Sequence, residues 1–201
     1  ASAPHAHQEG PVYPGTCAAR SSRDAETLAP PYAWRFRLPA ESASYRDGLA
    51  GPQKIDLRTL GDFVVYKSSG TPAYQLAVVA DDYAMGVTEV VRGDDLIPST
   101  FRQLALYRAF GWDPPTFYHV PLVVGTDGRR LAKRHGDTRL ATLRREGIRS
   151  ETVVGWLAWS AGLLERPQPV RPADLLAEWD WSRIRRERVI WNPAILEDWK
   201  R

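Results

Sequence analysis

Apolar and polar residues alternate through Tyr32-Ala33-Trp34-Arg35-Phe36-Arg37-Leu38, and the aromatic enrichment makes this stretch read as a strand. Residues 39–53 are polar and read as irregular. Phe63-Val64-Val65-Tyr66-Lys67 predicts a second strand. Ser68-Ser69-Gly70-Thr71-Pro72 then connects it to Tyr74-Gln75-Leu76-Ala77-Val78-Val79-Ala80. That run is continuously apolar after Gln75, which predicts a central strand covered on both faces. Asp81–Gly86 reads as a short helix or turn, and Thr88–Arg92 as another strand running into Gly93-Asp94-Asp95. Phe101, Leu104, Ala105 and Ala109 recur at helical spacing and predict a helix over 99–110, with Thr100 and Gln103 as a capping box and Gly111 as its stop. Phe117 to Val124 predicts a strand that ends at a basic, glycine-rich loop, 125–137. Helices follow over Thr138–Glu146 and Glu151–Ala161, the second capped by Ser150, with shorter ones near Ala173–Glu178 and Ala194–Trp199. Trp179, Trp181, Trp191 and Trp199 are the expected packing anchors of this last third. Alternating strands and helices with a ligand-type loop at a strand's C-terminal end predict an α/β fold, followed by a small helical appendage.

The chain has 201 residues, enough for one large domain or a domain with an appendage. Hydrophobic residues make up 43% and charged residues 25%, the balance of an ordinary globular protein, and no apolar run is long enough for a membrane helix. A single cysteine, Cys17, excludes an internal disulfide and fits a cytoplasmic setting. The net charge of +3 is unevenly spread. Eight Lys/Arg stand against Asp137 and Glu146 between Arg129 and Arg149, and Arg183, Arg185, Arg186 and Arg188 form a second cluster. A basic second half points to a polyanionic partner, nucleotide or nucleic acid. The first residues are rich in Pro, His and Gly and do not begin with Met, so the chain is expected to be a fragment or a mature product that has lost its N-terminal part.

Four places carry candidate chemistry. The loop Gly125-Thr126-Asp127-Gly128-Arg129-Arg130-Leu131-Ala132-Lys133-Arg134-His135-Gly136-Asp137 packs four cations between three glycines. It can clamp a polyphosphate and offset charge that develops on phosphate oxygens, or it can be a solvated surface loop. Lys133 is a point charge suited to phosphate. Arg92, at a strand end beside Gly93, can hold a carboxylate bidentately, or pair on the surface with Asp94 or Asp95. Tyr74 can turn its hydroxyl into a pocket or serve structurally. Tyr13-Pro14-Gly15-Thr16-Cys17 brings a phenol and a thiol together, either as a buried cysteine packed on a turn tyrosine or as half of a zinc site completed by other donors such as His5 and His7. The residues alone therefore point to a small carboxylate beside a polyphosphate. The chain contains no Walker loop, Gly-x-Ser-x-Gly, His-Glu-x-x-His or dinucleotide fingerprint.

Ala73–Asp82, Met85–Leu96 with its Thr88-Glu89-Val90-Val91-Arg92-Gly93-Asp94-Asp95, Ser99-Thr100-Phe101-Arg102-Gln103, His119-Val120-Pro121-Leu122 and Gly128–Arg134 resemble, in order and spacing, the second half of the glutamyl-tRNA synthetase catalytic domain. The basic loop is similar to the class I loop usually written Lys-Met-Ser-Lys-Ser. Here Arg130 stands for the first lysine, Ala132 for the serine, and Lys133 keeps the second lysine. Within that family the chain resembles the short glutamyl-Q tRNA(Asp) synthetases. It ends at Arg201, without room for an anticodon-binding domain, and Tyr13-x-x-x-Cys17 is similar to the second half of their zinc site. The family's first half of that site and its His-Ile-Gly-His-type motif have no counterpart in this sequence.

The resemblance implies a Rossmann-like class I aminoacyl-tRNA synthetase core, of which the chain holds the C-terminal portion, with a helical appendage. It divides the chain into a zinc-type region over 1–31, a catalytic portion over 32–137 and an appendage over 138–201. It implies ATP with magnesium, glutamate bound by Tyr74 and Arg92, ATP phosphates steadied by Lys133 and Arg130, zinc at Tyr13 and Cys17, and a monomeric enzyme acting on tRNA(Asp) that carries queuosine. Two rival expectations stand beside it: a piece of an ordinary glutamyl-tRNA synthetase, and a non-catalytic RNA-binding remnant.

Overall fold

A computed structural model describes residues 12–131 and 139–199, and the chain divides into two compact units, Ala1–His119 and Val120–Arg201.

In the first unit β1 (Trp34–Phe36) pairs antiparallel with β4 (Phe63–Tyr66), Phe36 facing Phe63. Between them in sequence lies a hairpin of β2 (Ser42–Asp47) and β3 (Gly51–Asp56), with Ser42 opposite Asp56 and Asp47 opposite Gly51. This hairpin occupies the stretch expected to be irregular. Its two strands alternate exposed and inward positions. Polar outer positions dilute the apolar signal, so few inward residues such as Ala43, Tyr45 and Ile55 had to carry it.

The expected central strand from Tyr74 is instead a helix, α1 (Tyr74–Ala84). A short apolar run does not tell a buried strand from a helix by itself. The run continues without Gly or Pro through Asp81, Asp82 and Ala84, and its alanines favour helix. Gln75 and Val79, four apart, are the buried positions, so one helical stripe faces the core. β5 (Glu89–Gly93) follows and pairs with β6 (Thr116–Val120). Between them α2 (Ile97–Phe110) runs from Pro98 in its first turn to Gly111, whose φ of 69° is the left-handed stop that glycine adopts without Cβ strain. Leu38, Leu57, Phe63, Val79, Phe101, Leu106 and Tyr107 form the core.

In the second unit the expected strand from Phe117 breaks at Pro121 and resumes as β7 (Val123–Val124), which pairs in parallel with β8 (Val189–Ile190). The helices are α3 (Leu140–Arg145), α4 (Ser150–Ser160), α5 (Pro172–Leu175) and α6 (Ile195–Trp199). Arg149 rather than Ser150 sits at the cap of α4; the Ser150 hydroxyl turns to Glu151. Trp156, not singled out by the sequence, is 4% exposed and centres an aromatic cluster with Trp191 at 5.0 Å and Trp199 at 6.5 Å between ring centroids. Trp179 is 45% exposed and so is no anchor of this core. The described strands form four two-stranded ladders, and no described helix is long and apolar enough to cross a membrane.

Candidate active site

Arg92 lies near the end of β5, half-buried, and its guanidinium is held from several sides. Nε donates to His119 Nε2 at 3.0 Å; Nη2 donates to Thr100 Oγ1 at 2.6 Å and to Gln103 Oε1 at 2.9 Å, and reaches the Leu96 carbonyl at 3.5 Å. The ring of Phe117 lies 5.0 Å beneath its Cζ. These buried partners, rather than Asp94 or Asp95, fix the side chain. Thr100 and Gln103 are therefore not a capping box: Thr100 is 0% and Gln103 2% exposed, turned inward from α2.

The network continues in both directions. Gln103 Nε2 donates to Gln75 Oε1 at 2.9 Å, and Gln75 Nε2 to Ser99 Oγ at 3.1 Å, which joins α1 to α2. On the other side His119 Nδ1 meets Asp47 Oδ2 at 2.5 Å. Asp47 Oδ1 accepts the backbone N–H groups of Leu49, Ala50 and His119 at 2.8–3.0 Å. Both Asp47 and His119 are 2% exposed. Gly48 makes this approach possible, because a Cβ there would sit 2.2 Å from the Tyr118 ring.

The protonation states follow from the geometry. Arg92 keeps its protons, so His119 Nε2 must accept and Nδ1 must carry the hydrogen that goes to Asp47. Burial lowers the His119 pKa first; Asp47 opposes that shift and the Arg92 cation adds to it, leaving the imidazole neutral to lower pH than an ordinary histidine. Burial pushes Asp47 up, but its hydrogen bonds from His119 and from the amides of Ala50 and Leu49 outweigh it and hold the carboxyl below the usual value. Burial also lowers the Arg92 pKa, countered by Tyr74, Tyr45, Asp82 and Asp47 around it. Burial raises Tyr45 to about 12.

Tyr74 thus lies in the same electrostatic neighbourhood as Arg92, at the first turn of α1 and half-buried rather than on a strand. Arg130 is exposed in the second unit and bridges Val124 across a tight turn, in which the Gly128 N–H donates to the Gly125 carbonyl and the Gly125 N–H to Arg129. Lys133 lies outside the described residues. Tyr13 and Cys17 are neighbours: the Cys17 N–H donates to the Tyr13 hydroxyl at 2.6 Å, and the Arg35 guanidinium covers the Tyr13 ring at 4.0 Å. Cys17 is exposed, which overturns the buried-cysteine reading. Among the described residues no three His, Cys, Asp or Glu gather as metal ligands. A phenol and one thiol supply two of four expected donors, so these residues alone do not make a zinc site. His119, Asp47, Thr100, Gln103 and Gln75 were not read as site residues. Their signal was polarity where the pattern called for core: a histidine within an apolar strand, and a threonine and a glutamine on the inward face of a helix.

Residues 7–161 match the family model described as the catalytic domain of class I tRNA synthetases for glutamate and glutamine, and the chain belongs to that family. It is 51% identical to a glutamyl-Q tRNA(Asp) synthetase of Symbiobacterium thermophilum over 94% of this chain and 60% of that one, and 44% identical to one of Rhodopirellula baltica over 98% and 65%. The chain thus spans somewhat under two thirds of the length of these relatives. A glutamate tRNA ligase of Elizabethkingia meningosepticum, solved with its amino acid, superposes with a TM-score of 0.76 at 26% identity, covering 91% of this chain and 41% of that one. The class I synthetase fold expected from the motifs is therefore the fold found.

Proposed function

We propose that the protein activates glutamate with ATP and transfers the glutamyl group to the queuosine base at the wobble position of tRNA(Asp). The observation that carries the reading is Arg92: a guanidinium held by buried partners through Nε and Nη2, next to Tyr74, in a chain similar to glutamyl-Q tRNA(Asp) synthetases. A fixed guanidinium beside a phenol suits the charged groups of a small amino acid. Glutamate's α-carboxylate oxygen attacks the α-phosphorus of ATP, the α–β bridging bond breaks, and pyrophosphate leaves with glutamyl-adenylate formed. Lys133 and Arg130 offset charge on the phosphate oxygens, so positioning and electrostatics supply the rate without a covalent enzyme intermediate. Magnesium accompanies ATP and screens its phosphates. We assign 32–137 to glutamate activation and 138–201 to RNA contact, in a cytoplasmic monomer. No step is assigned to zinc.

The test is glutamate-dependent ATP–pyrophosphate exchange without tRNA, run on this chain. The reading expects exchange without tRNA, a loss of about 100-fold or more on Lys133→Ala, and glutamate incorporation only into tRNA(Asp) that carries queuosine. Exchange that depends on tRNA, with glutamate esterified to the 3′ end, would make the protein an ordinary glutamyl-tRNA synthetase. Indifference to Lys133→Ala would leave the non-catalytic RNA-binding reading.

A further inference from the structure

Outside the direct ligand contacts lie a cleft in the second unit beside Arg149, Gln168 and Trp199, an aromatic stack of Tyr83 on Trp112, and the buried pair Asp47–His119 behind Arg92. Among the described residues, nothing near the cleft or the stack selects an occupant. The buried pair has a defined geometry and a defined consequence.

We propose that Asp47 is a positioning residue that sets the tautomer of His119, and that the tautomer in turn orients Arg92 for its carboxylate ligand. This rests on the assignment of Arg92 to glutamate. Asp47 is not free to rotate its roles. Its Oδ1 is pinned by three backbone N–H groups, from Leu49, Ala50 and His119. Only Oδ2 faces the imidazole, at 2.5 Å from Nδ1. As a carboxylate it can only accept there, so Nδ1 carries the hydrogen. Nε2 is then a lone pair, and that lone pair receives Arg92 Nε–H. With Nε held by His119 and Nη2 held by Thr100 and Gln103, no described partner takes Nη1. That nitrogen is the one left for a ligand oxygen. A carboxylate at the end of β2 thus determines the aim of a guanidinium on β5, through one neutral ring.

The substitution Asp47→Asn isolates the claim. The three amides keep the carbonyl oxygen of the new side chain at the Oδ1 position, so its NH2 must face His119 Nδ1. Two donors cannot share that contact. The imidazole then moves its hydrogen to Nε2, where it meets the Arg92 Nε–H head-on, and Arg92 leaves its seat. The shape and the backbone bonds are retained, so the fold is expected to survive.

The experiment is 15N NMR of the His119 ring nitrogens, with glutamate titration, on the wild-type chain and Asp47→Asn. The expected result is hydrogen on Nδ1 in the wild type and on Nε2 in Asp47→Asn, with glutamate affinity lower by about tenfold or more and the backbone amide spectrum otherwise unchanged. A merely structural role would not exchange the tautomers. In the His119→Ala background, Asp47→Asn should have no further effect on glutamate binding. An Nε2–H or doubly protonated ring in the wild type overturns the proposal, and so does unchanged glutamate affinity in Asp47→Asn despite a changed tautomer. The wild-type measurement needs no variant to fold. If the tautomers behave as expected but neither protein binds glutamate, the assignment of Arg92 to glutamate fails while Asp47's control of the ring stands.

Discussion

At the scale of single residues, the site is a continuous chain of donors and acceptors running from Asp47 through His119, Arg92, Gln103 and Gln75 to Ser99. Arg92→Lys keeps the charge but loses the fork that reaches His119, Thr100 and Gln103 together. The same chain gives stability a pH dependence of known sign. His119 titrates below its ordinary 6.5 in the folded protein, so near that value the unfolded chain binds more protons than the folded one. The stabilisation is complete above about pH 6.5 and is lost as pH falls toward the folded value. Asp47 adds a second loss only below its unfolded value of 3.8, as pH falls through its depressed folded one. Calorimetry should therefore show the melting temperature falling between pH 7 and 5. His119→Gln, which removes the titrating ring, should lower stability at neutral pH and flatten that fall. A wild-type melting temperature that does not change over this range would mean the ring is not buried neutral.

At the scale of elements, α2 decides the first unit. One stretch of it is buried almost all round, with Ser99, Thr100 and Gln103 turned to the polar network and Phe101, Leu106 and Tyr107 to the core. Leu106 is 2% exposed, so Leu106→Ala should lower the unfolding free energy by about 2–5 kcal/mol, the sum of lost transfer energy and an unfilled cavity. Met85 at the end of α1 is 79% exposed, and Met85→Ala should stay within about 0.5 kcal/mol. Denaturant unfolding of the two variants side by side checks both. The helix and its stop at Gly111 were legible because both are local: an apolar face at helical spacing and a residue that adopts positive φ. α1 was misread as a strand because Leu76 to Ala80 are apolar in every direction, and only packing on α2 shows which of them face inward. The β2–β3 hairpin was missed because half its residues are solvent-facing and polar. β8 is two residues long and gains its identity from the Leu122 and Val124 carbonyls, which receive the Val189 N–H at 3.3 Å and the Trp191 N–H at 2.7 Å.

At the scale of the whole molecule, charge separates the two units in a way that composition already indicated. Arg183, Arg185, Arg186 and Arg188 lie exposed in the second unit, with Arg185 over the Trp159 ring at 5.5 Å. If this surface meets phosphates, binding of tRNA to the chain should weaken with salt, and the double variant Arg185→Ala/Arg186→Ala should reduce the slope of log affinity against log salt by about one to two units. A filter-binding series at several salt concentrations reads that slope, and an unchanged slope would remove both arginines from the RNA surface.

What the sequence by itself determined is local or linear. It set α2 and its glycine stop, the uneven charge and the motif order that marks a class I synthetase. Those signals need only neighbours in the chain, because turn chemistry, periodicity and motif spacing act over a few residues. What the tertiary structure alone decided is who holds Arg92. Asp47, His119, Thr100, Gln103 and Gln75 come from a hairpin, a strand and two helices, and Asp47 lies 72 residues from the histidine it orients. No short-range pattern records such a pairing. It forms because buried hydrogen-bonding groups must find partners wherever the fold brings them, and water is not there to substitute.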